Sequence, residues 1–223
     1  CMPDGSAVSN YSELKEAIIM SGGDGEDNTI YIHDGTYYFF EVIIYDAKGT
    51  LEHLTLKGCF GANSQIIFDG QNLSRIFEFQ KNGPVTRETD GQDAQAPFPS
   101  VDINDIEFRN AVWDIAANTD ECFGNHCGSV IYANRFHINF NNTKFKNNYG
   151  TGGYGMIVSG IVNLGSTDTI FEENYSSSGG VISFSGDLDM QNTTFLNNEG
   201  IALFATIAAY VNCHSRTIKD SVF

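Results

Sequence analysis

The sequence is poor in proline, in basic residues and in long apolar segments, and each shortage excludes a class of protein. Only 4 of the 223 residues are proline, against 23 glycines, which predicts many turns and no rigid proline-rich linker. No apolar run approaches the ~20 residues that cross a bilayer, so no membrane-spanning segment is predicted. An apolar content of 41% with 13% aromatic residues excludes a wholly disordered chain.

Basic residues are the scarcest charged group. The chain has 12 Lys and Arg against 28 Asp and Glu, a formal net charge of −16. This charge repels phosphate backbones and anionic membranes, so we exclude nucleic acid as a partner. It also disfavours direct binding of an acidic polysaccharide, while it attracts divalent cations. The expected role of the charge is an acidic surface that keeps an extracellular protein soluble.

Helical periodicity is confined to one segment near the start of the chain. Leu14, Ala17 and Ile18 have helical spacing, with Asn10 or Ser12 as the N-cap and a glycine beyond the end. We predict a short amphipathic helix that covers the open apolar end of the first β-coil. Residues 1–28 are therefore assigned to an N-terminal cap.

The main feature of the remaining sequence is a repeat of about 25 residues. Asn or Asp occurs three positions before each of five phenylalanines: Phe108, Phe145, Phe171, Phe195 and Phe223. Three copies continue as Phe-x-x-Asn. Alternating apolar residues, such as Leu188 and Met190, precede the copies and mark strands with one buried face.

A short period made only of strands and turns predicts a β-solenoid, in which each strand pairs with its equivalent one coil later, about 4.8 Å away. The repeated residues then stack on one another. We predict an inward aromatic stack and a ladder of side-chain amides along one bend, where asparagine tolerates left-handed backbone angles. The stack contains Phe145, Phe171 and Phe195, and the ladder contains Asn148, Asn174 and Asn198.

Several segments resemble a known family. They are "ELKEAI", "DNTIYIHDGTY" and "IIFDGQNLSRIFEF", with the later Phe-x-x-Asn and Gly-Gly-x-Ile copies. They are similar to right-handed parallel β-helix proteins of the pectate-lyase-like superfamily, especially bacterial secreted β-helix repeat proteins and polymorphic outer-membrane-protein repeats. The resemblance implies an all-β fold, a single-stranded right-handed parallel β-helix, and a secreted or surface-displayed location with adhesive, cell-envelope or glycan-facing roles.

We expect one domain over residues 1–223. The first coils occupy 29–80, the regular coils occupy 129–223, and two projecting loops rich in turn formers occupy 81–100 and 113–128. The coils are expected to continue beyond the last residue. Because the chain begins with Cys1, we expect a processed product or a piece of a longer protein, and lipidation of Cys1 is an alternative. An open solenoid end would accept other surface proteins or further copies of the chain.

The leading functional hypothesis is a non-enzymatic extracellular or cell-surface structural or adhesive protein. A polysaccharide lyase or glycoside hydrolase is the first alternative. Its candidate residues are Asp120, Glu121 and His126 in the second loop, and Arg216 with Lys219 near the end. Adjacent loop carboxylates rarely face each other across a substrate, so no catalytic residue is assigned.

A carbohydrate-binding module is the second alternative. It would bind extracellular glycans through exposed aromatic side chains, for which the candidates are Tyr37, Tyr38 and Tyr132. Such tyrosines more often pack within sheets.

Five cysteines suggest an oxidising compartment. Cys122 and Cys127 are close enough in one loop to close a short disulfide. Cys59 is either a core thiol or the partner of Cys1, and Cys213 occupies a strand position typical of a buried core thiol.

Metal and glycan sites have weaker signals. "GGDGEDNTI", beginning at Gly22, coincides with the start of a calcium-binding nonapeptide, but it is a single copy with Thr29 where a large apolar residue belongs. We predict a turn there and assign no metal or cofactor, with calcium as the open alternative. The candidate glycan acceptors are the five Asn-x-Ser/Thr sites at Asn10, Asn72, Asn141, Asn174 and Asn192.

Overall fold

The computed structural model of the chain describes residues 7–22, 24–48, 52–59, 65–81, 98–113, 128–133, 136–150, 156–161, 163–184, 187–205 and 216–219. These residues form one helix, α1 (Tyr11–Ser21), and a succession of short strands. The strands are β1 (Asn28–Ile32), β2 (Gly35–Tyr38), β3 (Ile43–Ala47), β4 (His53–Gly58), β5 (Ile66–Asp69), β6 (Phe77–Lys81), β7 (Ser100–Asn104), β8 (Glu107–Arg109), β9 (Val112–Trp113), β10 (Gly128–Ala133), β11 (His137–Asn141), β12 (Lys144–Lys146), β13 (Tyr149–Gly150), β14 (Met156–Ile161), β15 (Asn163–Thr167), β16 (Ile170–Glu172), β17 (Tyr175–Phe184), β18 (Leu188–Gln191), β19 (Thr194–Leu196), β20 (Glu199–Ala205) and β21 (Arg216–Lys219).

The strands form three parallel sheets. Sheet I has the order β1-β4-β7-β11-β15-β18-β21, and sheet II has the order β2-β5-β8-β12-β16-β19. Sheet III has the order β3-β6-β10-β14-β17-β13-β9, with β20 also paired to β17. Except for β9 with β10 and β13 with β14, which all belong to sheet III, strands that follow one another in the chain lie in different sheets, and the pairing joins strands of neighbouring coils. The prediction of an all-β parallel solenoid with one N-terminal helix is confirmed.

The core is formed by the inward side chains of all three sheets. In sheet II the inward position is aromatic in six successive strands, which carry the register partners Tyr37, Phe68, Phe108, Phe145, Phe171 and Phe195. Each of these side chains is at most 6% exposed. Because the strands are parallel and in register, one position of the repeat becomes one continuous column in the core.

From β7 onward, single residues with positive φ mark two corners of each coil. Between sheets I and II they are Asp105, Asn142, Asp168 and Asn192, with φ from 48° to 65°. At the bend after sheet II they are Asn110, Asn147, Glu173 and Asn197, with φ from 52° to 54°. The left-handed residue is therefore the one before each ladder position, and the expectation that the ladder asparagines themselves take these angles is wrong.

Helix α1 covers the first coil. Asn10 is the N-cap, and its Oδ1 accepts a hydrogen bond from the Glu13 amide at 3.0 Å. Leu14 and Ile18 are fully buried in the same core as sheets I to III. Of the two N-cap residues suggested by the sequence, Asn10 is the one used. Among the described residues, no helix has the length and apolar character needed to span a membrane.

The two expected loops begin and end within strands. Lys81 ends β6 and Ser100 begins β7, while Trp113 ends β9 and Gly128 begins β10. Apart from Phe98 and Pro99, the residues between these ends lie outside the described part of the chain. Several sequence-based candidates also lie outside it: Asp120, Glu121, His126, Cys1, Cys122, Cys127, Cys213 and Phe223.

Candidate functional site

The bend after sheet II holds a buried ladder of asparagine side chains. The Nδ2 of Asn148 donates to Asn174 Oδ1 at 2.9 Å and to the Phe108 carbonyl at 3.2 Å. Asn174 repeats the pattern one coil later, because its Nδ2 donates to Asn198 Oδ1 at 2.9 Å and to the Phe145 carbonyl at 3.0 Å. The backbone amides of Asn148 and Asn174 donate to the same Oδ1 atoms.

The aromatic column lies beside this ladder. Ring centroids are 4.6 Å apart between Phe145 and Phe171 and 4.9 Å apart between Phe171 and Phe195, with nearly parallel planes. The structure thus brings together all six residues of the expected stack and ladder. Their polar atoms are occupied by the fold and their rings are buried, so this region has an architectural role.

The outer face of sheet I differs from the bend because its residues change from coil to coil. One row of register partners reads Thr55, Asp102, Asn139, Gly165 and Asp189. The next row along the strands reads Lys57, Asn104, Asn141, Thr167 and Gln191. The residues in each row are mostly polar but differ from coil to coil, so these positions do not form a repeated ladder like the one at the bend.

These rows line a groove of about 490 Å³. Its walls carry amide, hydroxyl and carboxylate groups from β7, β11, β15 and the start of β18; the lining residues are Asp102, Asn104, Asn139, Phe140, Asn141, Asn163, Leu164, Gly165, Ser166, Thr167, Asp187 and Asp189. A side chain at Gly165 would collide with the amide of Asn139. The absence of a side chain there makes room for the Asn139 amide. Three carboxylates and no basic side chain line it, so it favours neutral or cationic ligands.

A cluster of three reactive residue types lies beside the groove. His53 Nδ1 is 2.6 Å from Ser100 Oγ, and His53 Nε2 is 3.3 Å from Asp102 Oδ2. Thr55 Oγ1 lies 3.1 Å from the same Nε2. Asn139 Nδ2 donates to Asp102 Oδ1 at 2.8 Å, so both oxygens of the carboxylate have a neighbour. About a third of the His53 and Asp102 side chains is exposed.

His137 occupies the register position next to Ser100 on the other side. Its ring packs edge-on against Phe98, and its Nδ1 has no hydrogen-bond partner among the described residues. Burial lowers the pKa of His137, although the nearby carboxylate of Asp187 acts in the opposite direction. The imidazole is therefore neutral at pH 7.

The three tyrosines suggested for glycan stacking have different environments. Tyr37 is 2% exposed and belongs to the core column, and its hydroxyl donates to the Val8 carbonyl at 2.9 Å. The prediction that Tyr37 is exposed is wrong. Tyr132 is half-buried beneath Arg75, whose guanidinium carbon is 5.2 Å from the ring centroid. Tyr38 is 50% exposed.

The candidate glycan acceptors separate into two groups. Asn174 is 1% exposed, and both of its Nδ2 hydrogens are used in the ladder, so a glycan there would break two buried hydrogen bonds. The other four are at exposed positions: Asn10, Asn72, Asn141 and Asn192.

Residues 24–26 of the calcium-like segment form a bend before β1. Asp24 Oδ1 accepts from the Glu26 amide at 3.0 Å and from Asn28 Nδ2 at 3.1 Å. Those hydrogen bonds lower the pKa of the Asp24 carboxyl. Across the described residues, no group of three His, Cys, Asp or Glu side chains is placed to hold a metal ion.

Sequence reasoning missed the groove and the Ser100 cluster. The alternation in "HLT" and "SVD" places His53 and Ser100 on the outward face of their strands. The two residues are, however, 47 positions apart, and the first projecting loop lies between them. Because a loop of that length separates β4 from β7, the sequence does not show which residue of one strand lies opposite which residue of the other.

Comparison with protein-family models, with curated proteins and with solved structures gives no match. The fold is therefore assigned from the parallel sheets and their register alone.

Proposed function

We propose that this protein is an extracellular or cell-surface right-handed β-helix that binds a neutral, hydroxyl-rich ligand, of the kind a glycan presents, along the groove of sheet I. The groove supports this proposal most directly. Its amide, hydroxyl and carboxylate groups lie on successive strands about 4.8 Å apart, so several of them can form hydrogen bonds to one extended ligand. The binding would serve adhesion.

The negative charge of the protein limits the classes of ligand that the groove can bind. The groove contains the carboxylates of Asp102, Asp187 and Asp189, and the whole chain carries −16. An anionic polysaccharide would be repelled unless a cation bridged it. A neutral oligosaccharide can instead donate its hydroxyl hydrogens to the carboxylates and accept from the amides of Asn139 and Asn141.

The extracellular location is supported by Cys59, which is buried and disulfide-bonded. Disulfides persist in oxidising compartments. Within this proposal Cys1 is the partner of Cys59, and Cys122 pairs with Cys127. Non-reducing peptide mapping tests both pairs, and free thiols at all four positions would remove this support.

Binding is tested with a panel of neutral and acidic oligosaccharides and a variant that fills the groove. Asn141→Trp places a bulky ring in the groove, whereas Ile170→Trp places the same ring at a position of sheet II that is already 39% exposed. We expect neutral oligosaccharides to bind, with affinity at least about tenfold weaker in Asn141→Trp than in Ile170→Trp. Absence of binding across the panel, or equal affinity in both variants, would contradict the proposal.

A glycoside hydrolase is the second candidate. Asp187 and Asp189 are two residues apart and line one wall of the groove. Residues with this spacing on a strand project about 7 Å apart, within the range used by inverting hydrolases. Release of reducing ends that is lost in Asp189→Asn would favour this candidate over simple binding.

A further inference from the structure

Ser100, His53 and Asp102 have the mutual arrangement of a nucleophile, a base and an orienting carboxylate. The register of β4 and β7 places His53 opposite Ser100 and Thr55 opposite Asp102. The imidazole therefore lies between two side chains of the same neighbouring strand. Each ring nitrogen of His53 has one of these side chains as a neighbour: Nδ1 is 2.6 Å from Ser100 Oγ, and Nε2 is 3.3 Å from Asp102 Oδ2.

The carboxylate selects the tautomer of the ring. An ionised carboxylate only accepts hydrogen bonds, so the nitrogen beside Asp102 is favoured when it carries the proton. With Nε2 protonated, Nδ1 has a free lone pair and accepts the hydroxyl hydrogen of Ser100. This is the protonation pattern that activates a serine. The nitrogens are exchanged relative to the common serine-hydrolase arrangement, but the roles are the same.

The fold does not require this set of residues. The neighbouring coils keep the same backbone at the same register with other side chains, since Ser100 is followed by His137 and Asn163, and Asp102 by Asn139 and Gly165. The cluster is also reachable, because about a third of both His53 and Asp102 is exposed. Asp102 itself belongs to the wall of the groove.

We propose that Ser100 and His53 are catalytic residues for the hydrolysis of carboxylic esters and that Asp102 is their positioning residue. Ser100 Oγ forms a bond to the acyl carbon as its proton moves to His53 Nδ1, and the carbonyl electron pair moves to oxygen. Collapse of this adduct breaks the bond to the alcohol oxygen, which takes the proton from Nδ1. Water then adds to the acyl carbon in the same way, and the Oγ–carbon bond breaks to release the acid.

The strand after β7 offers a donor for the negative oxygen, because His137 is the register partner of Ser100. The neutral ring carries one N–H, and it stands on the side of Ser100 opposite His53. This N–H stabilises the oxyanion in the addition step. A neutral donor suits that role, because it does not draw the proton away from His53.

The experiment uses the full chain with a fluorophosphonate probe and with p-nitrophenyl acetate. Peptide mapping locates the probe, and the ester reports kcat and KM. The variants are Ser100→Ala, His53→Gln and Asp102→Asn. Thr29→Ala is the matched control, because Thr29 is exposed on the same face and in the register row that contains Thr55.

We expect the probe to modify Ser100 in the native chain and in Thr29→Ala. Ser100→Ala and His53→Gln should lower kcat by about 100-fold or more. Asp102→Asn should lower kcat by about tenfold or more at unchanged KM. Partial unfolding would give the same split, because it lowers the concentration of active enzyme, so the folded fraction is measured separately. Circular dichroism confirms that each variant keeps its strands.

Two results would overturn the proposal. One is a native chain in which Ser100 stays unmodified at probe concentrations that label a control serine hydrolase. The other is ester hydrolysis that is equal in the native chain, Ser100→Ala and His53→Gln, because a surface nucleophile elsewhere would then be responsible. The ester test is independent of glycan binding, since Ser100→Ala leaves the groove intact.

Discussion

The bend after sheet II and the outer face of sheet I are built on the same parallel register but use it in opposite ways. At the bend, Asn148, Asn174 and Asn198 occupy one position coil after coil, and each amide is bonded to its neighbours. On sheet I, one position holds His53, then Ser100, then His137. Repetition of a residue marks a position that holds the coils together, and change at constant backbone marks a position available for recognition or chemistry.

The largest effect should come from breaking the repeated region at its aromatic column. Phe171 is fully buried between two parallel rings. Phe171→Ala removes both stacking contacts and leaves a cavity, so we expect a loss of about 3–5 kcal/mol in the free energy of unfolding. Urea denaturation measures it.

Leu196→Ala in the same strand is the control. Leu196 is 46% exposed, so its truncation should change stability by no more than about 0.5 kcal/mol. Equal losses in the two variants would show that the column is not the core of the coil.

The next effect should come from the amide ladder. Asn174→Leu keeps the approximate volume but leaves the Asn148 amide and the Phe145 carbonyl without their partners. Each buried unpaired group costs about 1–3 kcal/mol, so we expect a loss of about 2–4 kcal/mol and faster hydrogen exchange of the Asn148 amide. Asn141→Leu, on the changing face, is the matched control. A loss no greater than that of the control would contradict the ladder's role.

The repeated region could be predicted from the sequence, because a solenoid converts sequence spacing into spatial contact. The Phe-x-x-Asn copies were enough to place Phe145 on Phe171 and Asn148 on Asn174. Tyr37 was not recognised as a member of the same column, because it precedes the regular repeat and a tyrosine there fits an exposed position equally well. Its buried hydroxyl is bonded to backbone carbonyls, a contact that no local pattern reveals.

The changing region could not be predicted for a related reason. Its residues do not repeat, so nothing in the sequence links His53 to Ser100 across the first projecting loop. The alternation of each strand gives the outward direction, but only the register between β4 and β7 brings the two side chains to 2.6 Å.

A smaller effect is expected from His137 on the outer face of sheet I, where the free energy of unfolding should depend on pH. The pKa of His137 is lowered in the folded protein by burial, so below the unfolded value of about 6.5 the unfolded chain binds a proton that the folded chain does not. Stability from the neutral ring is therefore present above that pKa and is lost as the pH falls toward 5.5. We expect less than about 1 kcal/mol, because the ring is half-buried and solvent screens it.

The measurement compares the free energy of unfolding at pH 7.5 and pH 5.5 in the native chain and in His137→Gln. The native chain should lose more stability than the variant. Asp187→Asn should increase the loss, since Asp187 favours the charged ring. The same pH dependence in all three proteins would refute this assignment.

The smallest effect should arise at the corner between sheets I and II, where repetition and change coexist. The backbone angle repeats, but the residues alternate as Asp105, Asn142, Asp168 and Asn192. Asn142 Nδ2 donates to Asp105 Oδ1 at 2.9 Å, and Asn192 Nδ2 donates to Asp168 Oδ1 at 2.5 Å. Alternation pairs each carboxylate with an amide and keeps carboxylates from adjacent coils apart.

Asn192→Asp would place two carboxylates side by side at the strand spacing. Because these side chains are exposed, we expect a loss of only about 0.5 kcal/mol at low salt, reduced in 1 M NaCl as the Debye length falls to about 3 Å. Asp168→Asn is the control, since it keeps an amide next to Asn192 and removes a charge where Asn192→Asp adds one; it should show no loss at low salt that 1 M NaCl relieves. A loss in Asn192→Asp that is equal at both salt concentrations would mean that the alternation serves backbone geometry and not charge separation.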